Sequence, residues 1–205
     1  MTTVVLLSGG LDSTVALYMA KGQYADVTAL SVNYRQPHGA RELASAYAIA
    51  YSASVPFAEI NAAIPWPPMQ GDVLVGRNMM LLTMAAARAV VRGGGQPARV
   101  VIGACAADAD AFPDCRPEFL DAAAKALTLG LGAGVEIVAP LIDRTKAQIV
   151  ATAALVGAWD AVGLSWSCYR GGKIPCGECN ACLKRAEGFS LHGRPDPAIA
   201  RAVAL

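Results

Sequence analysis

Charge and aromatic side chains are both scarce in this 205-residue chain: Asp, Glu, Lys and Arg make up 16%, Phe, Trp and Tyr 6%, and there are two histidines. Seventeen Lys and Arg against sixteen Asp and Glu leave a net charge of +1. That lacks the basic surplus expected of a chain that wraps nucleic acid or lies on an anionic membrane. Long apolar runs are lacking too. VATAALVGAW (150–159) comes nearest, falls short of the roughly 18 residues of a spanning helix, and reads as a core helix. The opening MTTVVLL reaches glycines at once, with no basic segment leading into a long apolar stretch; the expectation is a cytoplasmic chain without a secretory signal. What is plentiful is apolar: 55% of residues, enough for a sizeable core and too many for a disordered chain.

β-branched runs at 3–7, 27–33, 57–60, 99–104 and 135–140 alternate with Ala-rich helical patterns at about 12–21, 40–53, 78–92, 116–129 and 145–156. Strand–helix alternation with non-alternating, buried strands predicts an α/β fold with a doubly wound five-stranded parallel sheet. Residues 1–160 are expected to form this α/β domain, with 161–205 a small C-terminal element packed on it. Asp12, Ser13 and Thr14 offer N-cap chemistry for the first helix, and Thr145 for the helix opening TKAQIV. PWPPMQGD (65–72) reads as a rigid, exposed connection, and the stretch from Arg194 onward as a short helix after a Pro-broken turn.

Directly after the first strand comes LSGGLDST (7–14). It matches neither GxxxxGK[ST] nor GxGxxG, yet a Gly-rich turn opening a helix is a cradle for phosphate. Leu7, Ser8, Gly9, Gly10, Ser13 and Thr14 are the candidate phosphate contacts, the last five supplying N–H and O–H donors. Asp12 is an acceptor, suited to holding Mg²⁺ or orienting the loop. The plain alternative is a glycine turn with a helix cap.

Four of the six cysteines crowd the C-terminal part in CYRGGKIPCGECNAC: Cys168, Cys176, Cys179 and Cys182, spaced C-x7-C-x2-C-x2-C. Four soft ligands with glycines to turn the loop suit a closed, structural tetrahedral Zn²⁺ site. A [4Fe–4S] cluster, or cysteines without metal, are the competing readings. DADAFPDCRPEF (108–119) sets Asp108, Asp110, Asp114 and Arg116 after the fourth strand, as site residues or as a solvated loop with an N-cap at Asp114. Arg77 in GRNMMLL can take a phosphate or a carboxylate bidentately. Lys146 in PLIDRTKAQIV is a candidate cation for leaving pyrophosphate.

SGGLDST resembles the pyrophosphate-binding motif of the ATP pyrophosphatase superfamily, whose members adenylate a carboxylate or carbonyl-type oxygen. Taken in order, SGGLDST, GRNMMLL, FPDCRPEF, PLIDRTKAQIV and the cysteine box resemble the 7-cyano-7-deazaguanine synthases of the queuosine pathway, over about residues 4–189. The resemblance implies a homodimeric carbon–nitrogen ligase with zinc on the four cysteines and Mg²⁺ accompanying ATP. It implies conversion of 7-carboxy-7-deazaguanine, ammonia and ATP to the nitrile. No glutaminase-type nucleophile is evident, so free ammonia is the expected donor. Asp12, Arg77 and Lys146 would carry the ATP chemistry, with Asp108, Asp114 and Arg116 against the deazaguanine. One departure stands out: Tyr34-Arg35-Gln36-Pro37-His38 has Arg35 where the family often has glycine, so the loop is expected to run differently. The rival within the superfamily is a tRNA sulfur transferase, which would use a persulfide on Cys105 or Cys115 or an iron–sulfur cluster; a second rival passes the activated deazaguanine to another acceptor.

Overall fold

The computed structural model describes residues 1–62, 69–70, 73–109 and 112–203. Five strands, β1 (Thr2–Leu6), β2 (Val27–Asn33), β3 (Phe57–Asn61), β6 (Ala98–Val101) and β7 (Val135–Val138), form one parallel sheet in the order β3-β2-β1-β6-β7. β4 (Met69–Gln70) and β5 (Val73–Leu74) pair as a separate antiparallel ladder. Thr3 aligns with Val27 on one side of β1, and Thr2 with Ala98 on the other. The doubly wound sheet expected from the alternation is therefore present, with its order reversing at the β1–β6 boundary.

β1 is buried along its whole length, as its unbroken TTVVL run requires of a central strand covered on both faces. On one face Val5 and Leu7 pack with Val15 and Leu17 of α1 (Leu11–Gln23), Ile49 of α2 (Gly39–Ser52) and Ile149 of α6 (Lys146–Leu155). On the other, Val4 and Val100 meet Leu82, Ala85 and Ala89 of α3 (Arg77–Arg92), with Leu120 and Ala123 of α5 (Pro117–Leu131). Alanine at these contacts lets helix backbones lie close to the strands, and each buried Val or Leu contributes about 1.5–3 kcal/mol. The shorter helices are α4 (Ala106–Ala109), α7 (Trp159–Val162) and α9 (Pro197–Val203), with α8 (Asn180–His192) closing the C-terminal part.

Local chemistry sets several boundaries. Thr145 accepts from Gln148 N while Gln148 reaches back to Thr145 N, a capping box at the expected position. Pro117 occupies the first turn of α5, and Gly132 ends it at φ 64°. Two expectations need correction. β6 and β7 stop at Val101 and Val138, earlier than the apolar runs, because the chain beyond leaves the ladder to build the site. The first helix starts at Leu11 with Gly10 as N-cap and no side-chain cap, so Asp12, Ser13 and Thr14 lie inside its first turn. Asp110 and most of the 65–72 tract fall outside the described residues. No described helix is long and apolar enough to cross a membrane.

Candidate functional site

Where the strand order reverses, the C-terminal ends of β1 and β6 open a crevice, the place where doubly wound sheets bind ligands. A cavity of about 240 Å³ lies there. Leu7, Ser8, Gly10, Asp12, Ser13, Arg77, Asp108 and Lys146, all singled out from the sequence, line it.

The loop owes its shape to close approaches. Gly9 adopts φ 83°, and a Cβ there would stand 2.5 Å from the Glu42 carbonyl oxygen and 2.8 Å from Ala46 N. It is a packing glycine against α2 and lines no part of the cavity. Trp166 N donates to Gly9 O at 2.8 Å, tying the loop to the 165–167 segment. Gly103 presses on the other side: a Cβ would meet Ser13 N at 2.9 Å. The α1 N-terminus thus faces the cavity without a side-chain cap, a natural anion seat. Ser8 Oγ and Ser13 Oγ lie 3.1 Å apart, Ser8 being solvent-exposed. Thr14 is fully buried, lines no part of the cavity and donates to Gly10 O at 2.7 Å; Ser13 Oγ, which does line the cavity, donates to the same carbonyl oxygen at 3.2 Å. Leu7, in the core, offers the site only its backbone.

Lys146 Nζ donates to Asp12 Oδ2 at 2.7 Å and lies 3.3 Å from Cys105 Sγ. Burial opposes its charge, but Asp12 and Asp108 outweigh burial and hold its pKa above the ordinary value. Gly188 of α8 allows this placement: a Cβ there would meet Lys146 Cβ at 2.9 Å. Asp12 Oδ1 is buried with no hydrogen-bond partner among the described residues, and Asp108 lies in the same cluster. An orphaned carboxylate oxygen beside a second carboxylate fits a hard cation such as Mg²⁺; Cys105 in that cluster is a poor ligand for one. Burial, with Asp12 next, pushes the Cys105 thiol up to about 12, and burial with Asp108 pushes Cys115 up to about 11.

Two expected contacts lie elsewhere. Asp114 Oδ2 accepts from Asn78 N at 3.1 Å, anchoring the first turn of α3. Arg116 is exposed and donates to Ala109 O at 3.0 Å. Neither lines the cavity, because the short 3-10 turn over Pro113–Cys115 points them at α3 and solvent. Reasoning from the sequence missed Tyr34, Gly103, Trp166, Tyr169, Lys184 and Arg185. Lys184 Nζ lies 3.8 Å from Asp108 and donates to Ala107 O at 2.7 Å. Lys184 and Arg185 stand two and three residues after Cys182, the one local hint that the C-terminal element reaches the site.

The four clustered cysteines converge: their Sγ atoms all lie within 4.8 Å of one another, Cys176 and Cys182 at 4.0 Å. A tetrahedral zinc with Zn–S bonds of about 2.3 Å needs sulfurs about 3.8 Å apart. Backbone N–H groups of Glu178 and Cys179 point at Cys176 Sγ and pull its pKa down to about 6, the behaviour of a thiolate ligand. The set can therefore hold a metal such as zinc. The loop before it packs on the altered tract: His38 Nδ1 lies 3.1 Å from Tyr169 O, and a Cβ on Gly171 would meet His38 Cα at 3.2 Å. Arg35 takes φ 67°, the left-handed conformation thought costly for it, with Asn33 Oδ1 accepting from its N–H at 3.0 Å. The side-chain turn meets the strain, and Gln36 Oε1 accepts from Tyr34 N in the same tract.

Comparison with known proteins gives the family and the fold. The family model described as "Queuosine biosynthesis protein QueC" matches residues 2–65 and 68–193. A 7-cyano-7-deazaguanine synthase of Laribacter hongkongensis (strain HLHK9) is 37% identical over 219 residues, covering 97% of this chain and 94% of its own. One of Thermoplasma acidophilum is 36% identical over 220 residues, covering 95% and 90%. Among solved structures, NMN synthetase from Francisella tularensis superposes with a TM-score of 0.54 at 16% identity, over 98% of this chain and 82% of that one; this likeness concerns the fold. With a family match running almost from end to end over the sheet, the loop and the cysteine box, the chain belongs to the queuosine biosynthesis protein QueC family.

Proposed function

We propose that this chain converts 7-carboxy-7-deazaguanine, ammonia and ATP to 7-cyano-7-deazaguanine. The supporting observation is the convergence of the uncapped α1 N-terminus, Asp12 and Lys146 at the β1–β6 crevice, in a chain whose relatives carry that activity in their names. A ring carboxylate is a poor electrophile. Its oxygen attacks the α-phosphorus of ATP, the bond to the β-phosphate breaks, and pyrophosphate leaves with the electron pair. Ammonia then displaces AMP and loses one proton to give the amide. A second ATP activates the amide oxygen in the same way, and loss of AMP and of both N–H protons leaves the nitrile. Such transfers rest on positioning and charge neutralisation. In this reading the Gly10–Ser13 N–H groups, Ser8 and Ser13 hold the pyrophosphate, and Lys146 offsets its growing charge. Asp12 and Asp108 would hold Mg²⁺, which would supply further neutralisation. Zinc on Cys168, Cys176, Cys179 and Cys182 is structural, leaving no open position. A cytoplasmic homodimer completes the reading, its assembly measurable by sedimentation velocity.

Sulfur transfer is disfavoured by the protonated state of Cys105 and Cys115, since the thiolate is the reactive form. The deciding experiment is mass spectrometry of the product from acid, ammonium, Mg²⁺ and ATP, with metal analysis of the same sample. Nitrile and one zinc per chain are expected. Untouched acid, or iron in place of zinc, overturns the assignment.

A further inference from the structure

Four cations line the cavity: Lys146, Lys184, Arg185 and Arg77. Three have carboxylate partners, at Asp12, Asp108 and Asp196. Arg77 forms no ion pair among the described residues. The carboxylate that contributes to its surroundings, Asp114, has one oxygen engaged with Asn78 N. Arg77 also approaches from α3, on the face of the sheet opposite α1, so it reaches the cavity from the side away from the phosphate-loop helix. Its surroundings differ from the phosphate end. Tyr34, Leu81, Phe112 and Tyr169 line the same cavity, the apolar and aromatic wall a flat heteroaromatic ring requires. The Tyr34 phenol shares this part of the cavity with Arg77, and burial raises the phenol's pKa, which keeps it neutral.

We propose that Arg77 is the counter-ion of the acceptor's carboxylate, that Tyr34 is its positioning residue, and that together they make the first activation selective for the acid over the neutral amide. This rests on the function proposed above and deepens it. A carboxylate nucleophile must come within bonding distance of an α-phosphoryl group that is itself anionic. A guanidinium on one carboxylate oxygen offsets that repulsion and leaves the other oxygen free to attack. The amide carries no charge, so the second activation gains far less from Arg77.

The test compares kcat/KM for 7-carboxy-7-deazaguanine with that for the corresponding 7-amide, each with ATP, in wild type, Arg77→Met, Arg77→Lys and Tyr34→Phe. A charge-assisted hydrogen bond lost from the acid alone lowers the acid-to-amide ratio by about 10- to 100-fold in Arg77→Met. Arg77→Lys, which keeps charge but not the fork, falls between, and guards against a folding defect in the methionine variant. Tyr34→Phe lowers the same ratio by a smaller factor, where a merely structural role would leave it unchanged. Equal losses on acid and amide together with a raised KM for ATP would place Arg77 on the phosphates and overturn the proposal. If wild type consumes neither compound, the underlying function is wrong and the proposal falls with it.

Discussion

His38 stands 3.5 Å from Glu42, one helical turn on, and 3.1 Å from the Tyr169 carbonyl oxygen. Burial alone would lower its pKa, but the Glu42 hydrogen bond and charge outweigh burial and raise it above the ordinary 6.5. Protonated His38 is therefore favoured in the folded chain. The pair's stabilisation is complete below the unfolded value and disappears as pH rises through the higher folded one. Glu42→Gln should accordingly lower Tm relative to wild type at about pH 5.5 and much less at about pH 9, as read by thermal unfolding. A Tm difference independent of pH would mean that the lost Gln36–Glu42 hydrogen bond, 2.8 Å long, matters more than the histidine. Little of this was visible in the sequence. The spacing of His38 and Glu42 was, but the partner carbonyl comes from Tyr169, far along the chain.

The start of helix α1 lies where it does because Gly9 and Gly103 let neighbouring backbone approach it. Gly103 has no left-handed backbone requirement, so replacing it tests space alone. Gly103→Ala sets a methyl 2.9 Å from Ser13 N and 3.0 Å from Ser13 Cα, and the first turn of α1 must shift. Expected are a stability loss of about 1–3 kcal/mol in chemical denaturation and a KM for ATP raised several-fold, with the acceptor's KM little changed. An unaltered ATP KM would show that the helix start tolerates displacement. SGGLDST could be read as a loop joined to a helix from its glycines and apolar flanks. The division within it could not: Ser13 and Thr14 are adjacent hydroxyls that both donate to Gly10 O, yet only Ser13 lines the cavity.

The C-terminal element is held together by Arg185, and the Trp166 N–H on Gly9 O ties it to the α/β part. Its guanidinium takes Asp196 in a fork at 2.5 and 2.9 Å, Ser165 Oγ at 2.8 Å and Ser167 Oγ at 3.1 Å, all close to the Trp166 N–H that holds Gly9. Both partners are more than nine-tenths buried. Arg185→Met strands Asp196 and should cost about 3–5 kcal/mol, whereas pairing it with Asp196→Leu should recover much of that loss. Urea denaturation of the two variants decides; equal losses would mean that the hydroxyl contacts, and not the ion pair, carry the joint. By this route the four-cysteine loop, α8 and the loop after β1 form one continuous structure.

Strand–helix alternation, the apolar β1, the capping box at Thr145 and the cysteine spacing all depend on residues near one another in the chain, so they can be read from it directly. The same holds for LSGGLDST as a glycine turn opening a helix at the sheet's C-terminal edge. The orientation of individual side chains does not. Gly9, Thr14, Asp114 and Arg116 belong to the right segments but face α2, the helix backbone, α3 and solvent, because the packing of distant elements leaves each of them a single direction. Tyr34, Tyr169 and Lys184 enter the cavity for the same reason: folding β2 beside β1 and laying α8 on α6 brings them to the loop at the C-terminal end of β1.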